Sequence, residues 1–394
     1  MKITDVKTII LDAYRTNWTF VKVETDAGIT GWGEASLGTQ EFALAGCVED
    51  LKRQVVGRDP FEIEKMRFEV YRDTYWKGGP VLMSAISGIE MAMWDIMGKS
   101  LGVPVSTLLG GKVRDKVKMY ANAWFIDARE PEEFAAAAKK TVALGVKALK
   151  WDPFGKSHMT VDNATLRKAV DIVGAVREAA GPDTDLLIEC HGRFEPYTGV
   201  KIAKALEEFN IFLLEEPCPP DNFHALAEVR KKSNIPISAG ERVYTIYGFN
   251  DLFDAGAVDI VQPDIFHAGG IFDSKKVAAM AEAKHISCSF HNPSGPVSNA
   301  AILQLAATCP NFIIHEIMLT DGAFRKKLTD EKVEFEDGYI KVPQKPGLGI
   351  EVNEEECALH PYKPRNLRHY TGDVTSIRKK GDCFYYFDGI DAKF

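Results

Sequence analysis

Three glutamates, Glu189, Glu215 and Glu241, each close an apolar run, and each stands 26 residues from the next. The runs are Leu186-Leu187-Ile188, Phe212-Leu213-Leu214 and Pro236-Ile237-Ser238-Ala239-Gly240. A repeat of that length is about one strand plus one helix of a (β/α)8 barrel. Short buried strands that each end in a charge place those charges side by side at the barrel's C-terminal mouth. Three carboxylates converging on one point repel one another unless a hard divalent cation sits between them. An all-oxygen ligand set with positions left for water and substrate suits Mg2+. Ordinary strand-end carboxylates paired with lysines are the alternative, and three in equal spacing argue against it.

The same alternation extends over most of the chain. Strands are predicted near 117–124, 146–151, 186–190, 211–215, 236–240, 258–263, 285–290 and 312–315, with helices such as 131–144, 163–179 and 269–284 between them. Eight strands with intervening helices make an α/β fold of the TIM-barrel type the first choice. A doubly wound sheet needs fewer repeats, and no G-x-G-x-x-G fingerprint is present. Residues 1–34 alternate apolar and polar and read as a small antiparallel sheet with Asp26-Ala27-Gly28 as a turn. From about 41 to 100 the period becomes helical, with Ile86, Ile89, Met93, Trp94 and Ile96 as one stripe. The expected domains are an α+β unit over 1–115, the barrel over 116–320, and a C-terminal segment over 321–394. In that segment Gly338–Ile350 reads as strand and turn returning to the first domain. The last 30 residues, with Phe384-Tyr385-Tyr386-Phe387, form an aromatic and charged tail expected to pack on the first domain or a partner subunit of a homo-oligomer.

Composition narrows the function. The net charge of −8 leaves no basic footprint for nucleic acid or an anionic membrane. No run is read as long enough to span a bilayer, and the N-terminus lacks the apolar core of a signal peptide. Seven cysteines without a C-x-x-C pair point to reduced thiols in the cytoplasm. Cys190 and Cys288 fall inside predicted strands as buried hydrophobes.

Further polar residues gather at the strand ends. Lys150 and Asp152 follow strand 2, and His191 lies two residues past Glu189, on the same side of an extended chain. Asp264 ends strand 6, His291 strand 7 and Glu316 strand 8. Strands 6 and 7 are barrel neighbours, so Asp264 can accept from one nitrogen of His291 and aim the other inward. His267, His285 and His315 read as structural.

With these residues in place the chain resembles the enolase superfamily over nearly its whole length. The resemblance rests on Gly31-Trp32-Gly33-Glu34, Ala92-Met93-Trp94-Asp95-Ile96 and Leu108-Leu109-Gly110-Gly111-Lys112. In the barrel it rests on Leu214-Glu215-Glu216-Pro217, Ala239-Gly240-Glu241-Arg242 and Gln262-Pro263-Asp264 with Gly269-Gly270. Glu189-Cys190-His191-Gly192-Arg193 followed by His291-Asn292-Pro293 is most similar to the acid-sugar dehydratases of galactonate and gluconate type. The resemblance implies a Mg2+-dependent site at the barrel mouth under an N-terminal cap that the C-terminal segment completes. It implies Glu189, Glu215 and Glu241 as metal ligands, His291 as base, His191 as acid and Asp264 as partner of His291. Lys150, Asp152, Arg193 and Glu316 are implied to contact the substrate, as is Trp76, which with Tyr14, Trp18 and Lys77 lies in cap segments that in this family close over the substrate. Two departures stand out. Members that racemise or cycloisomerise often carry a Lys-x-Lys triplet on strand 2, where this chain has Lys150-Trp151-Asp152, and Glu189 replaces a frequent aspartate.

The implied reaction is loss of water from an aldonate to give a 2-keto-3-deoxy acid. Mg2+ stabilises the enediolate formed when the C2 proton leaves, an arrangement described generally for this superfamily, and the departing hydroxide needs an acid. The rival expectations are epimerisation or cycloisomerisation of an acid sugar, and a barrel that has lost catalysis and serves as a binding protein.

Overall fold

The computed structural model describes residues 1–125, 128–319, 322–330 and 335–365, and the aromatic tail lies outside them. The chain opens with three antiparallel strands, β1 (Ile3–Asp12), β2 (Asn17–Thr25) and β3 (Thr30–Glu34). The Asp26-Ala27-Gly28 turn joins the last two, with Gly28 at a φ of 73° that a side chain disfavours. Helices α1 (Glu41–Val55), α2 (Ile63–Asp73), α3 (Pro80–Leu101) and α4 (Val105–Leu108) follow.

Helix α3 is the spine of this unit. Pro80 starts it and Gly102, left-handed at φ 69°, ends it. By length and composition it could cross a membrane, contrary to the reading that no run is long enough, yet 83% of its apolar stretch is buried inside the protein. A helix apolar all round is a core helix when other elements surround it. Gly33 makes the close approach possible, because a Cβ there would sit 1.9 Å from the Gly88 carbonyl oxygen of α3.

Eight parallel strands then form the barrel: β4 (Lys116–Asn122), β5 (Ala148–Trp151), β6 (Asp185–Glu189), β7 (Leu213–Glu215), β8 (Ile237–Ala239), β9 (Ile260–Val261), β10 (Ser287–Phe290) and β11 (Phe312–Met318). All eight overlap the predicted stretches. The barrel closes where β11 pairs with β4, from His315 opposite Met119 to Met318 opposite Asn122. That pairing carries strand 8 beyond its predicted end, so Glu316 sits inside β11. The helices around it include α5 (Pro131–Ala143), α6 (Asn163–Ala180), α7 (Pro196–Leu206), α8 (Phe223–Lys232), α9 (Thr245–Asp254), α10 (Ile265–Ala268), α11 (Gly270–Ala283) and α12 (Pro296–Ala306). The helix expected from 269 is thus preceded by a separate short turn, α10, with Asp264 as its cap.

Two buried carboxylates fasten the first unit to the barrel. Glu90 of α3 accepts from the Ile271 and Phe272 amides at the start of α11, and Glu34 of β3 accepts from Gly295 and Ser298 at the start of α12. Negative charge at a helix N-terminus is electrostatically favoured. These helices follow the strands that lead to Asp264 and His291, so cap and site are in register. The C-terminal segment departs in part from expectation. Its strand Tyr339–Lys341 pairs with barrel strand β4, because Lys116–Lys118 offers a free edge there. Contacts to the first unit come from Phe324, which packs on Tyr14 and Trp18, and from the residues after that strand, through Leu348 N to Asp95, Lys22 to Glu354 and Asp12 N to the His360 carbonyl.

Candidate active site

The barrel interior is built in layers. Tyr120, Ala148, Leu187, Leu213, Ile260 and Ile314, one from each of six strands, form a buried apolar cluster. Two residues further along each strand, on the same face by strand alternation, stand Asn122, Lys150, Glu189, Glu215, Gln262 and Glu316. A polar layer therefore rests directly on an apolar floor that excludes water from below.

Glu189, Glu215 and Glu241 offer carboxylate oxygens that all lie within 4.8 Å of one another. Glu189 and Glu215 face each other in register across β6 and β7. Glu241 follows Gly240, whose φ of 145° and closeness to the Gln262 backbone admit no side chain. Lys150, itself buried, reaches Glu215 at 2.9 Å, Glu316 at 3.2 Å and Glu189 at 3.6 Å. One ammonium cannot balance these groups, since each like pair at this separation costs roughly 3–4 kcal/mol at an effective dielectric of about 20. Burial, then repulsion from Glu215, pushes Glu189 well above the ordinary carboxylate range. Glu241 goes the other way, to about 2, because His291 and Arg242 outweigh its burial.

The residues fit a hard cation. Glu215 Oε2 is engaged by Lys150 and Gln262, whereas its buried Oε1 has no hydrogen-bond partner among the described residues. An unpartnered buried oxygen among three clustered carboxylates is what a cation would satisfy.

Two histidine–carboxylate dyads stand beside the triad. His291 Nδ1 lies 2.7 Å from Asp264 Oδ2, and Asp264 Oδ1 is fixed by the Phe266 amide. His291 Nε2 is 3.2 Å from Glu241. Burial works against the imidazolium, but Glu241 and Asp264 raise His291 to about 10. His191 Nδ1 lies 2.7 Å from Asp152 Oδ2, which also accepts from Arg193 at 2.5 Å. Despite burial, His191 and Arg193 hold the Asp152 carboxyl below its usual range. His191 does not extend β6 in the alternating sense expected of it. It sits at φ 50°, with its amide donated to Glu189 Oε1, so a turn rather than the pleat aims its ring. Such strained backbone is characteristic of functional sites.

A cleft of about 330 Å3 opens above these groups, lined by Lys150, Asp152, Glu189, His191, Glu241, Asp264, His291 and Glu316 among others. Two expected substrate contacts are elsewhere. Arg193 is buried, with its guanidinium on Asp152 and on the Cys190 and Gly155 carbonyls, so it buttresses the His191 turn. Trp76 is 83% exposed, edge-on to Tyr75 in the loop between α2 and α3, and lies outside the cleft lining. Glycines 78 and 79, both at positive φ, carry that loop outward before Pro80 starts α3. Asp152 faces His191 more than open space. Glu316 accepts from Asn122 and the Asn292 amide, and Lys150 and His291 hold it at about 2 against burial. Arg15, Asn122 and Arg242 line the cleft with no role assigned from the sequence, and His267, read from the sequence as structural, lines it as well. Arg242 and His267 follow assigned residues by one and three positions, and that spacing was the available signal.

The chain matches a family described as "Enolase C-terminal domain-like" over residues 133–356, and "Mandelate racemase / muconate lactonizing enzyme, N-terminal domain" over residues 6–110. It is 36% identical over 361 residues to the D-galactonate dehydratase of Pectobacterium atrosepticum, covering 90% of this chain and 93% of the relative. It is 36% identical over 336 residues to the D-gluconate/D-galactonate dehydratase of Picrophilus torridus, covering 85% of this chain and 86% of the relative. A crystal structure of a member of the enolase superfamily from Salmonella Typhimurium superposes with a TM-score of 0.87 at 33% identity, over 91% of this chain and 98% of that one. With a closed parallel barrel, an N-terminal antiparallel sheet and a carboxylate triad at the mouth, the chain belongs to the enolase superfamily.

Proposed function

We propose that the protein is a Mg2+-dependent hydro-lyase that converts an aldonate of galactonate or gluconate type to its 2-keto-3-deoxy acid. The observation that carries this reading is the pair of histidine–carboxylate dyads beside one carboxylate triad. Removing a proton next to a carboxylate needs a base, and expelling hydroxide needs an acid. The names of the dehydratase relatives support the same choice. Asp152 occupies the position of a second strand-2 lysine and is engaged with His191, which disfavours a two-base racemisation.

Glu189, Glu215 and Glu241 would hold the cation, which when bound stabilises negative charge on the substrate carboxylate. Lys150 and Glu316 flank that carboxylate region. Asp264 engages Nδ1 of His291, and with the charge of Glu241 spent on a cation rather than on the imidazolium, Nε2 would be the atom that takes the C2 proton. His191, held through Nδ1 by Asp152, delivers a proton from Nε2 to the 3-hydroxyl. The C2–H and C3–O bonds break, water leaves, and the enol left behind becomes the 2-keto acid. The test is incubation of the protein with Mg2+ and a panel of sugar acids, trapping keto product with semicarbazide. Semicarbazone formation from an aldonate supports the reading, and epimer formation without it refutes it.

A further inference from the structure

His267 lies three residues past Asp264, in α10, and lines the same cleft as Asp264 and His291. Its Nδ1 is 2.7 Å from Ser84 Oγ on cap helix α3. Ser84 has one hydroxyl proton, and its Oγ is also 2.6 Å from the Pro80 carbonyl oxygen one turn earlier. A carbonyl can only accept, so that proton belongs to Pro80, and Ser84 Oγ must accept from His267. The proton of the imidazole is therefore on Nδ1. Burial holds His267 below its ordinary pKa, which keeps the ring neutral. Nε2 is left as a bare acceptor, and among the described residues no protein group bonds to it. Phe266 packs edge-on to the ring at 4.5 Å and fixes its plane.

We infer that His267 is a substrate-binding residue whose Nε2 accepts a hydrogen bond from a chain hydroxyl of the sugar acid, its tautomer set from the cap by Ser84. The inference rests on the dehydratase reading for its ligand. An acceptor of this kind selects for an O–H group and gains nothing from a C–H or a carbonyl in the same place. The cap thus takes part in substrate choice through Ser84, a residue outside the cleft lining.

Two measurements test this. In 15N NMR of histidine-labelled protein, with the His267 signals assigned by their loss in His267→Gln, the expected result is protonated Nδ1 and unprotonated Nε2. Ser84→Ala should shift the ring toward the opposite tautomer. A wild-type ring protonated on Nε2 overturns the inference whether or not the protein is a dehydratase. In kinetics, His267→Phe should lower kcat/KM on the preferred aldonate at least about tenfold. The wild type and that variant should converge on the one member of a 4-, 5- and 6-deoxy series that lacks the bonded hydroxyl. Equal losses on every substrate would show a packing role and overturn the inference. A wild type that dehydrates no sugar acid refutes the proposed function and removes the hydroxyl partner with it, while the tautomer result stands by itself.

Discussion

His191 Nδ1 stands 2.7 Å from Asp152 Oδ2, the same separation that joins His291 Nδ1 to Asp264 Oδ2. The two dyads differ in what else the carboxylate holds. Each Oδ1 accepts from the amide two residues on, Phe266 for Asp264 and Phe154 for Asp152, whereas Asp152 Oδ2 is also shared with the guanidinium of Arg193. Each carboxylate fixes which nitrogen of its histidine faces the cleft.

Asp264→Asn should therefore lower kcat by roughly 10²–10⁴-fold, because an amide can hold the wrong tautomer and cannot stabilise the cation. Mg2+ affinity should stay near wild type, since the triad supplies the ligands. Titration calorimetry showing lost Mg2+ binding would place Asp264 on the metal instead. Asp152→Asn should impair dehydration in the same way while sparing exchange of the C2 proton, which deuterium incorporation reads directly.

Replacing Glu189, Glu215 or Glu241 with Gln should abolish turnover and weaken Mg2+ binding, because one of three anionic ligands is lost. Calorimetry on the three variants checks it. Unchanged affinity in all of them would remove the triad from the metal.

Acid stability provides a separate check on the barrel. His315 is fully buried with Nε2 on Asn299, and burial pushes it down to about 3. The unfolded chain takes up this proton as pH falls through about 6.5, and the folded one only near the lower value. Stability is present above 6.5 and is lost on acidification, by up to about 1.4 kcal/mol per pH unit from this group. Urea midpoints between pH 7.5 and 5 should fall more steeply for the wild type than for His315→Gln. Parallel slopes would contradict the assignment.

Where the sequence was legible, a local pattern coincided with the tertiary constraint. Short apolar runs located all eight strands, and all but the first led into a charged or histidine residue, because a strand buried on both faces shows as a short continuous run. The same runs located the triad, Asp264 and His291. What was not legible depends on contacts between distant segments. Glu316 falls inside β11 because the barrel closes against β4. Arg193 is turned inward by Asp152, 41 positions away. Ser84 meets His267 only because α3 lies across α10, 183 positions along the chain. The left-handed backbone of His191 belongs to no pattern that strand alternation describes.

The most direct test of the proposed chemistry is proton NMR, in deuterium oxide with Mg2+, of an aldonate that the wild type dehydrates, comparing wild type, His291→Asn and His191→Asn. The wild type should form the 2-keto-3-deoxy acid. The His291 variant should show neither product nor loss of the C2 proton signal, and the His191 variant should exchange that proton without losing water. A His291 variant that exchanged C2 at the wild-type rate would put the base elsewhere and contradict the account at its centre.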